Sequence, residues 1–210
     1  EQRTQMLSGV SHDLRTPLTR LKLALALKED DADTKEMLND IQIMQNILDE
    51  FLEFSKNQQT EKVKAVSLIT LFEFLKKRSL NLQEKLQWHL NLKNHKRKVH
   101  LRQNNLSRAL NNLIENADCY GSQIKVSIVE KQTRLLIHVE DNGPSIPTDK
   151  IEEAVKPFVR LDNSRNLNKP HGVGLGLSIA SDLIKIHGGN LHLKKSKNLG
   201  GLKASLTLPL

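Results

Sequence analysis

Two apolar stripes at helical spacing, parted by a short acidic break, constrain this chain most. Leu14, Leu18, Leu21 and Leu25 recur at spacings of four, three and four, which puts them on one face of a helix over about residues 1–28. Glu29 to Asp33 breaks the pattern. Met37, Ile41, Met44, Leu48, Phe51 and Phe54 then repeat it over about Thr34 to Lys56. Two helices joined by so short a loop form an antiparallel hairpin. A lone hairpin cannot bury both stripes. Two copies pairing into a dimeric four-helix bundle would bury them, and so would packing against the rest of the chain. Pro17 supplies no N–H inside the first helix, so a kink near Asp13 is expected.

Residues 57–64 are polar and read as a linker. Beyond them the periodicity is mixed. Ser67 to about Leu80 reads as a helix, and Trp88–Leu92 and Val99–Leu101 as short strands. Asn104 to Ala117 reads as a helix with Leu106, Leu110, Leu113 and Ala117 on one face. Ile124–Val129 and Leu135–Glu140 alternate as strands do around a turn at Lys131 to Thr133. Leu175 to His187 reads as a helix closed by Gly188 and Gly189. Leu191–Lys194 and Ala204–Leu208 read as final strands. The fold expected is α+β: a helical hairpin over 1–57, then an α/β sandwich over 65–210 with helices on one face of a mixed sheet.

The net charge of +8 is uneven: residues 1–57 carry a net −4 and residues 58–210 a net +12. The densest basic run, Lys93 with Lys96, Arg97 and Lys98, reads as a solvated edge. Aromatic residues make up only 3% of the chain, too few for the stacking platforms of a single-strand nucleic-acid reader, so no nucleic-acid partner is expected. Cys119 is the one cysteine, which excludes an internal disulfide. No apolar run approaches the roughly 18 residues that span a bilayer. The chain begins at Glu1 inside a helix and reads as part of a longer protein.

Four clusters carry chemistry. Ser11-His12-Asp13-Leu14-Arg15-Thr16-Pro17 places an imidazole beside a carboxylate, with Thr16 one turn away on the same face. A neutral imidazole can attack phosphorus, and the carboxylate can take its proton or fix its tautomer. In Asn111-Asn112-Leu113-Ile114-Glu115-Asn116, the residues Asn112 and Asn116 share a helix face, and amide oxygens are hard ligands suited to Mg²⁺. Asp141-Asn142-Gly143 ends a strand, where a carboxylate can accept a hydrogen bond from an exocyclic amine and a glycine allows close backbone approach. Gly172-Val173-Gly174-Leu175-Gly176-Leu177 leads into a helix and presents backbone N–H groups beside its positive end, an arrangement suited to phosphates. No Gly-Lys-Ser/Thr follows, so it is not a Walker A loop.

In this order, the clusters resemble the signature of bacterial two-component sensor histidine kinases. The histidine box lies at His12, the N box at Asn112 to Asn116, the first glycine box at Asp141 to Gly143 and the second at Gly172 to Gly176. Lys156-Pro157-Phe158-Val159-Arg160 matches the aromatic box between the two glycine boxes. The run from Gly9 to Arg20 is similar to EnvZ-type kinases in particular. The resemblance implies that His12 is the phosphoacceptor, Asp13 its base and Thr16 a support for dephosphorylation of the partner. It implies Mg-ATP held by Asn116 with Asn112 nearby, and adenine read by Asp141 beside Gly143. Gly172, Gly174, Gly176 and Leu177 would belong to a closing lid, with Phe158 anchoring its near end and Arg160 reaching the phosphates. A response regulator as partner, a homodimer through the hairpin, and a cytoplasmic portion anchored to the bacterial inner membrane by missing N-terminal segments are likewise implied.

Two positions depart from the family pattern. Cys119 stands where a basic residue is common, and Ser145 where a second glycine is usual. Related ATP hydrolases place a glutamate four residues before the metal-binding asparagine to activate water, and Asn112 occupies that position here. A nucleotide-binding module without catalysis is the third reading, separable from the first by Mg-ATP binding and an acid-labile phosphohistidine. The other histidines show no metal-ligand spacing.

Overall fold

The computed structural model describes residues 2–27, 31–55, 61–79, 82, 85–161 and 174–210, and only the backbone of residues 2–12 and 49–55. The chain divides into two compact units, the first over residues 1–57 with 165–175 and the second over residues 58–164 with 176–210.

The first unit is a helical pair, α1 (Gln2–Ala26) and α2 (Ala32–Ser55). Helix α1 runs through Pro17 without a break. Asp31 caps α2, its Oδ1 accepting the Thr34 N–H at 2.7 Å. Ile41 and Leu48, seven residues apart, are buried in the pair. Lys22 Nζ donates to Gln42 Oε1 at 2.9 Å across it. The other half of each stripe faces outward: Leu14, Leu21, Met37 and Met44 are 49%, 54%, 51% and 52% exposed.

The second unit opens with a strand not foreseen in the sequence, of which only Lys64 lay in the expected linker and Ser67 at the start of the expected helix. Strand β1 (Lys64–Ser67) pairs antiparallel with β3 (Lys98–Leu101). Between them lie α3 (Leu68–Arg78), capped by Ser67 Oγ, and β2 (Leu86–Asn91). Helix α4 (Gln103–Tyr120), β4 (Ile124–Glu130) and β5 (Arg134–Asp141) follow. A 3-10 turn at Thr148–Lys150 runs into the short α5 (Ile151–Ala154), neither foreseen in the sequence. Helix α6 (Gly176–Lys185), β6 (Asn190–Lys195) and β7 (Leu202–Pro209) complete the unit.

The main sheet has the order β2-β4-β5-β7-β6. Only the β2–β4 pair is parallel. Alternation sets its faces: Ile124, Val126 and Ile128 on β4, Leu135, Ile137 and Val139 on β5, and Leu202, Ala204, Leu206 and Leu208 on β7 are all buried. Helices α4 and α6 contribute Leu106, Leu110, Leu113 and Ile114, and Ile179, Leu183 and Ile184, to the same core. Full burial of one such side chain contributes about 1.5–3 kcal/mol. This is the α/β layering expected from the sequence.

Two acidic side chains are buried with their charge compensated. Glu130 accepts the N–H groups of Asn94 and Lys93, each at 2.8 Å, and the Arg97 guanidinium at 3.2 Å. The Asn94 bond is the strongest influence holding its pKa below the usual value. Burial acts to raise the pKa of Glu140, but Ser196, Lys203 and Asn198 bind its carboxylate and bring it below the usual range.

Candidate functional site

Helix α4 is amphipathic with a third character between its faces. Leu113, Ile114 and Ala117 are buried, Glu115 is exposed, and Asn112 and Asn116 lie half-buried at the edge between. Asn112 Nδ2 donates to the Arg108 carbonyl of its own helix at 2.9 Å, which fixes the amide. Its oxygen lies against the start of α6, where a Cβ added to Gly176 would sit 3.5 Å from Asn112 Oδ1. Gly174, just before that helix, has φ +82°. Leu177 follows Gly176 and is partly exposed.

The other end of α4 meets the end of β5. Strand β5 carries Asp141, 3% exposed, as its last residue. Asp141 Oδ1 accepts the N–H of Gly143 at 2.9 Å and of Leu202 at 3.1 Å. Burial raises the Asp141 pKa, with those two backbone bonds opposing the rise. Asn142 Oδ1 accepts the N–H groups of Ser122 at 2.8 Å and Gln123 at 3.0 Å, joining this turn to the loop after α4. A Cβ at Gly143 would lie 2.5 Å from the Tyr120 carbonyl oxygen. The close approach recorded at Gly143 is therefore to the C-terminal end of α4. From the sequence, a ligand ring was expected there.

The sequence reading missed Gly201 and Leu202. A Cβ at Gly201 would sit 2.3 Å from Asp141 Oδ1 and 2.5 Å from the Asp141 carbonyl oxygen, so only glycine lets β7 close on this carboxylate. The Gly200-Gly201 pair was visible as a turn signal, but a turn signal does not reveal what it packs against. Gly201→Ala is expected to cost about 1–3 kcal/mol through overpacking, read as a lower urea midpoint with an unchanged slope.

Phe158 and Arg160, after α5, are both exposed. Phe158 is the one non-glycine residue with positive φ among the described residues, at +65°. For a bulky side chain this left-handed conformation costs of order 1 kcal/mol or more. Cys119 is half-buried on the last turn of α4. Asp13 and Thr16 are exposed on α1. His12 is placed by its helical backbone alone, and Gly172 lies outside the described residues.

The second unit thus joins Asn112, Asp141, Gly143 and the start of α6 around α4. Its donor set is one buried carboxylate, two amides and backbone N–H groups. The Ser145 hydroxyl is enclosed with no hydrogen-bond partner among the described residues. An enclosed, unmatched hydroxyl four residues after Asp141 in sequence fits a polar ligand. The two amide oxygens fit a hard cation.

Residues 102–210 match the family model described as histidine kinase-, DNA gyrase B-, and HSP90-like ATPase. Residues 2–60 match the His Kinase A (phospho-acceptor) domain. The sensor histidine kinase GtrS of Pseudomonas aeruginosa is 30% identical over 210 residues, covering 99% of this chain and 42% of that protein. The sensor histidine kinase CpxA of Escherichia coli is 31% identical over 217 residues, covering 98% of this chain and 47% of CpxA. The chain therefore spans less than half the length of these two relatives. Full-length ShkA, solved in complex with AMPPNP, aligns with a TM-score of 0.70 at 19% identity over 99% of this chain and 46% of ShkA. The catalytic domain of histidine kinase ThkA aligns with a TM-score of 0.55 at 22% identity over 70% of this chain and 97% of that domain. At these identities the structural likeness establishes the fold.

Proposed function

This chain belongs to the two-component sensor histidine kinases, and from that premise we propose that it binds Mg-ATP, phosphorylates its own His12 and passes the phosphoryl group to an aspartate of a response regulator. One observation carries the reading. An ATPase-type unit in which α4, Asp141 and the start of α6 converge is encoded on the same chain as a hairpin of the phosphoacceptor type. The domain division proposed is 1–57 for the hairpin and 65–210 for the nucleotide unit.

Asp141 holds adenine through the face of its carboxylate not engaged by Gly143 and Leu202. Asn116, with Asn112 beside it, holds Mg²⁺. A magnesium ion there would offset phosphate charge and orient the γ-phosphoryl group. Gly172, Gly174, Gly176 and Leu177 form the lid over the phosphates. Phe158 anchors the near end of that lid, and Arg160 supplies charge to it. A ring nitrogen of His12 then attacks the γ-phosphorus as the bond to ADP breaks, and Asp13 accepts the imidazole proton. Little covalent chemistry falls to the protein, so positioning and charge stabilisation suffice. Thr16, exposed one turn after His12, orients water in the reverse task of dephosphorylating the regulator.

The ATP-hydrolase reading is weaker at Asn112. A general base is required there, and this residue is a neutral amide already bonded to the Arg108 carbonyl. The homodimer finds support in the hairpin. Leu14, Leu21, Met37 and Met44 repeat at seven-residue spacing and face outward, as a seam for a second copy would. Among the described residues no helix is long and apolar enough to cross a membrane. We place the chain as the cytoplasmic portion of a longer protein anchored in the bacterial inner membrane.

Incubation with ATP labelled at the γ-phosphate tests the reading. Incorporated label should be lost in acid and survive base, as a phosphoramidate requires. Label stable to acid, or none, would remove the kinase assignment. The metal role has its own test. Asn116→Ala should weaken Mg-ATP binding by roughly tenfold or more in calorimetry. Alanine is the better mid-helix residue and Asn116 is partly exposed, so the thermal midpoint should hold or rise slightly.

A further inference from the structure

Helix α4 starts without a cap of its own. Its N-cap residue is Arg102, whose side chain makes no capping bond, and its first turn contains no acidic residue. A serine, threonine, aspartate or asparagine at that position would accept the N–H groups of the second or third helical residue. Those residues are Asn104 and Asn105, and a distant side chain accepts both N–H groups. Asn104 N donates to Glu61 Oε1 and Asn105 N to Glu61 Oε2, each at 2.9 Å. The Asn104 side-chain amide adds a bond to Oε1 at 3.0 Å, and Arg102 Nε donates to the Glu61 carbonyl oxygen at 2.8 Å. The carboxylate also faces the positive end of the helix dipole.

The position of Glu61 in the chain gives these bonds a second meaning. Helix α2 ends at Ser55, and Glu61 precedes β1 at Lys64. Glu61, six positions after the end of α2 in sequence, is therefore fastened to the first turn of α4 before the chain reaches β1. About two and three turns further along α4 come Asn112 and Asn116. Buried Leu106, Leu110, Leu113 and Ile114 hold the body of α4 against the core, independently of Glu61.

We infer that Glu61 is a positioning residue for phosphoryl transfer, tying the segment from the phosphoacceptor hairpin directly to the helix that carries the nucleotide-binding asparagines. The inference rests on the kinase reading above. Releasing the tie leaves the nucleotide site assembled, because apolar packing sets it. The release removes the fastening of residue 61, on the chain path from His12, to the helix that carries that site. Turnover therefore falls while nucleotide affinity does not.

The experiment compares the full chain with Glu61→Ala and with the double variant Glu61→Ala/Arg102→Asp. Asp at 102 restores a cap from within the helix but no tie to the segment. Glu61→Ala should lower the autophosphorylation rate at saturating ATP by roughly fivefold or more, with KM for ATP within about twofold of wild type. The double variant should regain the wild-type thermal midpoint and keep the slow rate. Recovery of rate together with stability would overturn the inference, because Glu61 would then be a cap and nothing more. A Glu61→Ala variant that labels at the wild-type rate would also overturn it, with the kinase reading intact. A wild-type chain that takes up no acid-labile phosphate would remove both.

Discussion

His12→Gln should take up no acid-labile phosphate from labelled ATP, a loss of at least about 100-fold, while binding Mg-ATP as the wild type does. Glutamine is a good helix former and close to histidine in size, so α1 should persist through the substitution. Its amide nitrogen has no lone pair available for attack on phosphorus. Two of the other histidines are already engaged. His187 is committed at both ring nitrogens, Nδ1 on the Leu183 carbonyl at 2.7 Å and Nε2 on the Arg102 N–H at 3.0 Å. His138 Nδ1 pairs with Ser205 Oγ at 2.9 Å on the sheet. Nucleotide affinity should hold because the proposed ATP ligands all lie in the second compact unit or the lid. Autoradiography after acid and base treatment reads the first half, and calorimetry with Mg-ATP reads the second. Label that persists in the variant would move the phosphoacceptor elsewhere. Loss of label and of ATP binding together would mean that the substitution disturbs more than a nucleophile.

Periodic features were legible in the sequence. The alternation of β4 and β5 and the apolar face of α4 each report burial on one side of a regular element, and burial follows period, whereas the leucine spacing of α1 reports a helix whose stripe stays largely exposed in the single chain. Strand β1 was not legible, because only Val66 of its four residues is buried and its partner β3 lies over thirty positions on. The turn of helix at Ile151–Ala154 hid inside a short acidic run with too few apolar residues to show a period. At the site, the asparagine pair and the strand-end aspartate stood out because polar residues at such positions need a reason. Gly201 and Glu61 did not stand out. The first matters through a backbone approach to Asp141 sixty residues away, the second through a cap supplied to another element. Neither relation has a local period or spacing for the sequence to display.

Asp141→Asn should weaken Mg-ATP binding by roughly 100-fold while leaving the fold as stable as wild type or more so. The two halves of this expectation come from the two oxygens of one carboxylate. Oδ1 accepts from Gly143 and Leu202, and an asparagine oxygen can do the same in place. The second oxygen becomes an NH₂ group. An exocyclic amine of adenine would then meet a donor where it needs an acceptor, leaving two buried donors unmatched. Stability follows from the direction of the Asp141 pKa, which burial raises. The folded chain therefore holds this proton to higher pH than the unfolded chain does. Between the ordinary aspartate value and the raised one, stability falls as pH rises, and at neutral pH the buried charge remains a cost. Asparagine carries no charge to bury. The variant's thermal midpoint should therefore decline less than that of the wild type as pH rises through that window. Calorimetry with Mg-ATP and melting curves across mildly acidic to neutral pH test both halves. A variant that loses ATP binding and also melts lower at neutral pH would show that the carboxylate holds the β5–β7 junction together rather than reading the base.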